Sequence, residues 1–217
     1  MTFEEIKNNE IINTYIESAD EYLRQLGYTE HSFNHVNRCV KVCEYILKNL
    51  GYDDHTIELA KIAAYMHDIG NVINRDDHAK IGALMAYRIL DNLNMDPKDI
   101  ATIITAIGNH DESSAHPVNV VCSALILADK TDVRRSRVRK EAKLVGIHER
   151  VNYAAKSSQV ILDKDTKTIT LKLEIDTQIC SIMEYFEIFL SRMMLCKKAS
   201  EFINCTFKLL INEQTLL

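Results

Sequence analysis

Six side chains of metal-ligating type lie at the edges of apolar runs: His35, His67, Asp68, His78, His110 and Asp129. The adjacent pair His67-Asp68 is the centre of the pattern. It closes an apolar run, Ala63-Ala64-Tyr65-Met66, read as the end of a helix over residues 56–69, and Gly70 follows where a helix C-terminus is commonly closed. A carboxylate delivered to the end of a buried element is costly unless it meets a cation or several hydrogen bonds. The neighbouring imidazole makes that cation a metal. Asp129 ends a second apolar run, residues 120–128, in the same way. Imidazole and carboxylate without thiolate suit Fe, Mn, Zn, Co or Ni, with Mg also admissible. Six such ligands exceed what one catalytic metal with an open position needs. They suit two metals about 3.5–4 Å apart sharing a carboxylate, an arrangement that generates hydroxide and holds a phosphoryl oxygen.

Helices must position these groups. Residues 3–25 carry Ile6, Ile11-Ile12, Tyr15-Ile16 and Tyr22-Leu23 at helical spacing and close at Gly27, which predicts one or two amphipathic helices. His35 falls in the first turn of a helix whose stripe runs Val36, Cys39-Val40, Val42-Cys43, Ile46-Leu47 and Leu50 to Gly51; His31 lies one turn upstream. His55 reads as a loop or first-turn residue without chemistry. After the polar loop Asn74-Arg75-Asp76-Asp77, a helix starts near His78, with Ile81, Leu84-Met85, Tyr87 and Ile89-Leu90 expected on its buried side. Asp96-Pro97 opens another, an N-cap followed by a first-turn proline, which ends at Gly108-Asn109-His110. Residues 120–129 read as helix rather than strand, from their Ala and Leu content. Further on, residues 160–162 and 169–175 form a hairpin across a turn at 163–167, its second arm alternating cleanly. A long apolar helix over 179–202 and a strand at 207–211 follow. The expected fold is mainly α: a helical bundle over residues 1–155 with a small C-terminal α+β element, hairpin, long helix and strand, over residues 156–217.

The chain of 217 residues can bury a full core. Its net charge of -5 argues against a general nucleic-acid binder. No run of about 18 apolar residues points to a membrane span, and the acidic, polar first ten residues are unlike a secretory signal. Cytoplasmic location is the expectation. Cys39, Cys43, Cys122, Cys180, Cys196 and Cys205 show no CxxC pair and read as reduced, small apolar residues.

The order His35, His67-Asp68, Asp129 resembles the H…HD…D pattern of the HD-domain metal-dependent phosphohydrolases, most specifically in Met66-His67-Asp68-Ile69-Gly70-Asn71 and Ile126-Leu127-Ala128-Asp129-Lys130. His78 and His110 resemble the additional ligands of dinuclear members. Order and spacing are most similar to the symmetrical diadenosine-tetraphosphate hydrolases, and more distantly to the cyclic-di-GMP phosphodiesterases. The resemblance covers about residues 30–140. It implies an HD-domain helical bundle, one or two divalent transition metals per chain, and hydrolysis of a phosphoester or phosphoanhydride by metal-activated water. Carried over by position, His35, His67, Asp68 and Asp129 hold one metal, and His78 and His110 a second, with Asp68 bridging.

Three departures accompany it. Asn71 stands where many members carry a lysine that reaches phosphate. The acidic pair that follows the motif in guanosine-tetraphosphate hydrolases is absent, as is the double glycine of the cyclic-di-GMP enzymes after His110. The basic run after Asp129 offers replacements for the lost lysine: Arg135, where similar hydrolases carry an arginine, with Arg134 and Lys130 beside it, since guanidinium groups bind phosphate bidentately. Asn71 completes the candidates for substrate contact. The spacing of Asp132 and Arg135 equally suits a surface ion pair. Asp68 and His31 are the catalytic candidates, His31 as general acid or as a partner of the ligands; Asp111 and Glu112 read as loop carboxylates. The expected substrate is a nucleotide or another small phosphorylated metabolite, with no nucleic-acid or membrane partner. The long C-terminal helix points to a homodimer. A di-iron oxygenase and a non-catalytic metal or nucleotide sensor share the same ligand set and stay open as alternatives.

Overall fold

Short polar side chains start the helices. Thr2, Asn9, Ser32, Asp53, Asp96, Asn119 and Ser181 each accept a bond from a first-turn backbone N–H, satisfying donors that a helix leaves free. The computed structural model describes residues 1–113, 115–140 and 146–217. Among these the helices are α1 (Phe3–Lys7), α2 (Glu10–Gln25), α3 (Phe33–Asn49), α4 (Asp54–Met66), α5 (His78–Asn92), α6 (Pro97–Gly108), α7 (Val120–Lys130), α8 (Ile147–Ala154) and α9 (Ile182–Phe202). Short 3-10 turns lie at Ile69–Val72 and Arg135–Arg137. The strands β1 (Ala155–Asp163), β2 (Thr168–Ile175), β3 (Thr206–Ile211) and β4 (Gln214–Thr215) form one sheet in the order β1-β2-β3-β4. The protein is therefore mainly helical with a small sheet. No described helix is long and apolar enough to cross a membrane.

The helices α4 and α7 read as apolar on nearly every side because they are the middle of the body. Residues Val121 to Ala128 of α7 are all buried, with α3, α4, α6 and α9 all packed against it. The strands β1 and β2 pair antiparallel, but β2 and β3 pair parallel. A parallel pair needs a long crossover, and α9 supplies it, lying between α7 and β3. Its buried stripe is Tyr185, Phe189, Met193, Cys196 and Ala199, while Met183, Leu190 and Met194 are exposed. The six cysteines are all buried and unpaired.

Two expectations are corrected. The buried side of α5 is His78, Ala79, Gly82, Ala86, Ile89 and Leu90, whereas Leu84 is 72% and Tyr87 46% exposed. Small residues face inward because α5 lies almost backbone to backbone on the turn at Ile69–Val72. Gly70 explains why. It does not close α4 in a left-handed conformation, as Gly27 and Gly51 do for α2 and α3, both at φ 81. A Cβ on Gly70 would instead stand 2.1 Å from the His78 carbonyl oxygen and 2.5 Å from Gly82 N. α4 itself ends at Met66, with His67 as its C-cap.

Candidate metal centre

All six candidate ligands sit at the ends of elements. His35 is in the first turn of α3, His67 caps α4 and Asp68 precedes the turn at Ile69–Val72. His78 opens α5, His110 follows α6, and Asp129 lies in the last turn of α7. The four histidines and Asp68 are buried. Their inner atoms converge. His35 Nε2 is 3.3 Å from His67 Nε2 and 3.3 Å from Asp129 Oδ1. Asp68 Oδ2 lies 3.2 Å from His67 Nε2 and 3.7 Å from His35 Nε2, whereas Asp68 Oδ1 faces His78 Nε2 at 3.5 Å. His78 Nε2 and His110 Nε2 are 3.3 Å apart.

The outer ring nitrogens settle the tautomers. His67 Nδ1 donates to the Ala64 carbonyl at 2.8 Å, His78 Nδ1 to the Arg75 carbonyl at 3.0 Å and His110 Nδ1 to the Ile107 carbonyl at 2.6 Å. A carbonyl only accepts, so each Nδ1 carries a proton, and each ring in its neutral form turns the Nε2 lone pair inward. His35 Nδ1 is held likewise by Asp132 Oδ2 at 2.8 Å. The facing nitrogens of His35 and His67 across 3.3 Å, beside two carboxylates, call for a cation between them, whereas His78 Nε2 also meets Arg75 Nη1 at 3.4 Å. Hard carboxylates and imidazoles fixed through their far nitrogens fit a divalent metal. Cys39 Sγ lies 3.8 Å from His35 Nε2, but burial pushes its thiol well above the usual range, so it packs there as a neutral group.

The electrostatics agree. Burial raises the Asp68 carboxyl, but His67 beside it more than offsets this and holds it well below the usual carboxylate range. Lys130 and His35 do the same for Asp129 against its own burial. Burial, then the neighbouring His67, pushes His110 down to about 3, and burial lowers His78. Burial also opposes protonation of His67, but the Asp68 carboxylate outweighs it and raises that ring.

Asp132 is the residue that sequence reasoning misplaced. It does not pair with Arg135 on the surface. Its fully buried carboxylate holds His35, accepts from Arg38 Nε at 2.9 Å and from Arg134 Nε at 2.5 Å. A carboxylate behind a ligand histidine fixes its tautomer and raises its basicity. Asp132→Ala is expected to weaken Mn2+ binding by about 10–100-fold, read by calorimetric titration.

Beside the cluster opens a cavity of about 240 Å³, whose walls include Tyr28, His31, Asp68, Arg75, His78 and Asp129. His31 Nδ1 donates to the Thr29 carbonyl at 2.6 Å, which leaves its Nε2 as an acceptor. Burial, then Arg137, lowers its proton affinity and so disfavours the charged ring. Arg134 and Arg135 are not on these walls: Arg134 is held by Asp132, and Arg135 donates to the Tyr153 carbonyl at 2.5 Å over the Tyr153 ring. Lys130 is on the wall, its ammonium 2.7 Å from both an Asp129 and a Glu112 oxygen. Asn71 is buried and does not reach the cavity. Its amide donates to Asp68 Oδ1 at 2.9 Å, and its oxygen accepts from Arg75 Nη1 at 3.2 Å. Arg75 was missed: its guanidinium stands 4.0 Å from Asp68 Oδ1 and lies over the Tyr28 ring at 5.7 Å. Four residues beyond position 71, Arg75 thus brings a guanidinium to the cavity wall, held by the Asn71 oxygen. His55 pairs with Asp99 on the exposed surface at 2.8 Å.

Residues 32–134 match the family model described as HD domain. The chain is 24% identical over 197 residues, 80% of this chain and 75% of the other, to an uncharacterized protein of Methanocaldococcus jannaschii. A solved structure, described as a predicted HD superfamily hydrolase from an uncultured Thermotogales bacterium, shares 25% identity over 58% of this chain and 67% of that one, with a TM-score of 0.46.

Proposed function

We propose, from the HD-domain match over residues 32–134 together with the converging donors, that this protein is a metal-dependent phosphohydrolase. Its substrate in this reading is a nucleotide or another small phosphorylated metabolite, cleaved at a phosphoester or phosphoanhydride. The observation that carries the proposal is the juxtaposition of inward Nε2 lone pairs and carboxylate oxygens with a cavity lined by Arg75. When bound, the metal supplies a Lewis acid that polarises a phosphoryl oxygen and makes water acidic.

The chain's own groups supply the rest. Arg75 offers charged donors to phosphate oxygens on the open side of Asp68. His31 holds an acceptor nitrogen on the cavity wall, placed to accept a hydrogen bond from a water or hydroxyl there. Asp68 turns one oxygen to His35 and His67 and the other to His78. That split supports the two-metal reading, with Asp68 between the sites and His78 and His110 on the second.

The test is turnover of a panel of nucleoside mono- and polyphosphates and p-nitrophenyl phosphate by protein loaded with Mn2+, Fe2+, Co2+, Ni2+ or Zn2+, alongside metal content. Phosphate release with one or two equivalents of metal supports the reading. Nucleotide binding without turnover under every metal would replace it by a sensor, and oxygen consumption by the iron-loaded protein by an oxygenase. Arg75→Ala is expected to raise KM for the phosphorylated substrate by about 10–100-fold, the value of one or two charge-assisted hydrogen bonds, while metal content is kept.

A further inference from the structure

Lys130 ends α7 next to Asp129, yet its side chain turns inward and is only 4% exposed. Its ammonium stands 2.7 Å from Asp129 Oδ2 and 2.7 Å from Glu112 Oε2. Glu112 is held in turn from α9, where Arg192 Nε donates to its Oε1 at 2.7 Å while the guanidinium lies 4.8 Å from the Phe189 ring centroid. Charges alternate along this chain from the surface of α9 to the metal cluster, so each buried group is compensated on both sides. The other oxygen of Asp129, Oδ1, faces His35 Nε2 at 3.3 Å and His67 Nε2 at 3.8 Å. A carboxylate oxygen tied to an ammonium is a weaker donor than its free partner, so a metal is drawn to Oδ1.

We propose that Lys130 is a positioning residue that restricts Asp129 to one-oxygen ligation, and that α9 keeps Lys130 in place through Arg192 and Glu112. The inference rests on reading the cluster as a metal centre. Its consequence is twofold. A coordination position that a two-oxygen Asp129 would fill stays open for water or substrate. The helix α9, which lies outside the matched residues 32–134, becomes a support of the metal site rather than an appendage.

The test uses the full chain as wild type, Lys130→Met, Arg192→Ala and Arg192→Lys. The readouts are Mn2+ affinity by calorimetry and the visible bands of the Co2+-loaded protein, which report coordination geometry. Lys130→Met is expected to tighten Mn2+ binding by about tenfold, since it frees the second Asp129 oxygen and removes a positive charge beside the metal, and Arg192→Ala to shift it the same way by less. Both should shift the Co2+ bands, and Arg192→Lys should restore wild-type behaviour. Arg192 is partly exposed, so its variants decide the matter if Lys130→Met does not fold. Unchanged Mn2+ affinity and superimposable Co2+ spectra in Arg192→Ala, with wild type binding normally, overturn the inference. Failure of wild type to bind either ion overturns the metal reading itself, and this inference with it.

Discussion

Asp68→Ala is expected to yield a folded protein that has lost its metal and its turnover together. Asp68 is the one side chain whose two oxygens face both halves of the cluster, 3.2 Å from His67 and 3.5 Å from His78. Its removal leaves the imidazoles with Asp129 alone to draw a cation, and none on the His78 side. Phosphate release should fall by about a thousandfold, the scale on which loss of one charge-stabilising contact at a reacting centre is felt. Stability supplies an independent readout. Metal present at 100 times its Kd stabilises the folded wild type by about 2.7 kcal/mol, worth about 5–10 °C in Tm for a chain of this size. Chelation should therefore lower the wild-type Tm by that amount and leave the Asp68→Ala protein unmoved. Unchanged turnover in a metal-loaded Asp68→Ala protein would sink the hydrolase assignment. Equal response of both proteins to chelator would place any metal elsewhere.

The largest effect on the fold is expected at Gly70. An added methyl group would lie 2.1 Å from the His78 carbonyl and 2.5 Å from Gly82 N, and both neighbours are backbone, so neither can swing aside. Gly70→Ala must push α5 away from the turn that follows His67-Asp68. Overpacking of this kind costs about 3 kcal/mol or more, a fall in Tm of about 6–12 °C by thermal denaturation. The same displacement carries His78 away from Asp68, so metal stoichiometry should fall in whatever protein still folds. Gly108 provides the contrast. A Cβ there meets only Ala83 Cβ at 3.6 Å, ordinary contact in the last turn of α6. Gly108→Ala should be neutral or stabilising by up to about 1 kcal/mol, from helix propensity. A Gly70→Ala protein as stable as Gly108→Ala would show that α5 does not approach the turn so closely.

The sequence by itself determined the helical body, the hairpin and the identities of the converging groups. Period and capping are local: the stripe from Val36 to Leu50, the caps at Ser32 and Asp96, and the alternation from Ile169 to Ile175 each need only a dozen neighbours to be read. His35, His67-Asp68, His78, His110 and Asp129 were legible for the same reason, since each stands where an apolar run begins or ends. Their partners were not. Asp132 meets His35 across 97 positions and Arg192 meets Glu112 across 80, and pairings over such distances leave no periodic trace. Position 71 misled in a related way. A guanidinium reaches the cavity wall from Arg75 instead, after a 3-10 turn whose Gly70 lies against α5. That contact also turned small residues inward on α5 and left Leu84 and Tyr87 in solvent, against their hydrophobicity. Residue types and helix ends are written in local pattern. Which oxygen faces which metal ligand, and which cation stands behind it, was decided by how closely two backbones could pack.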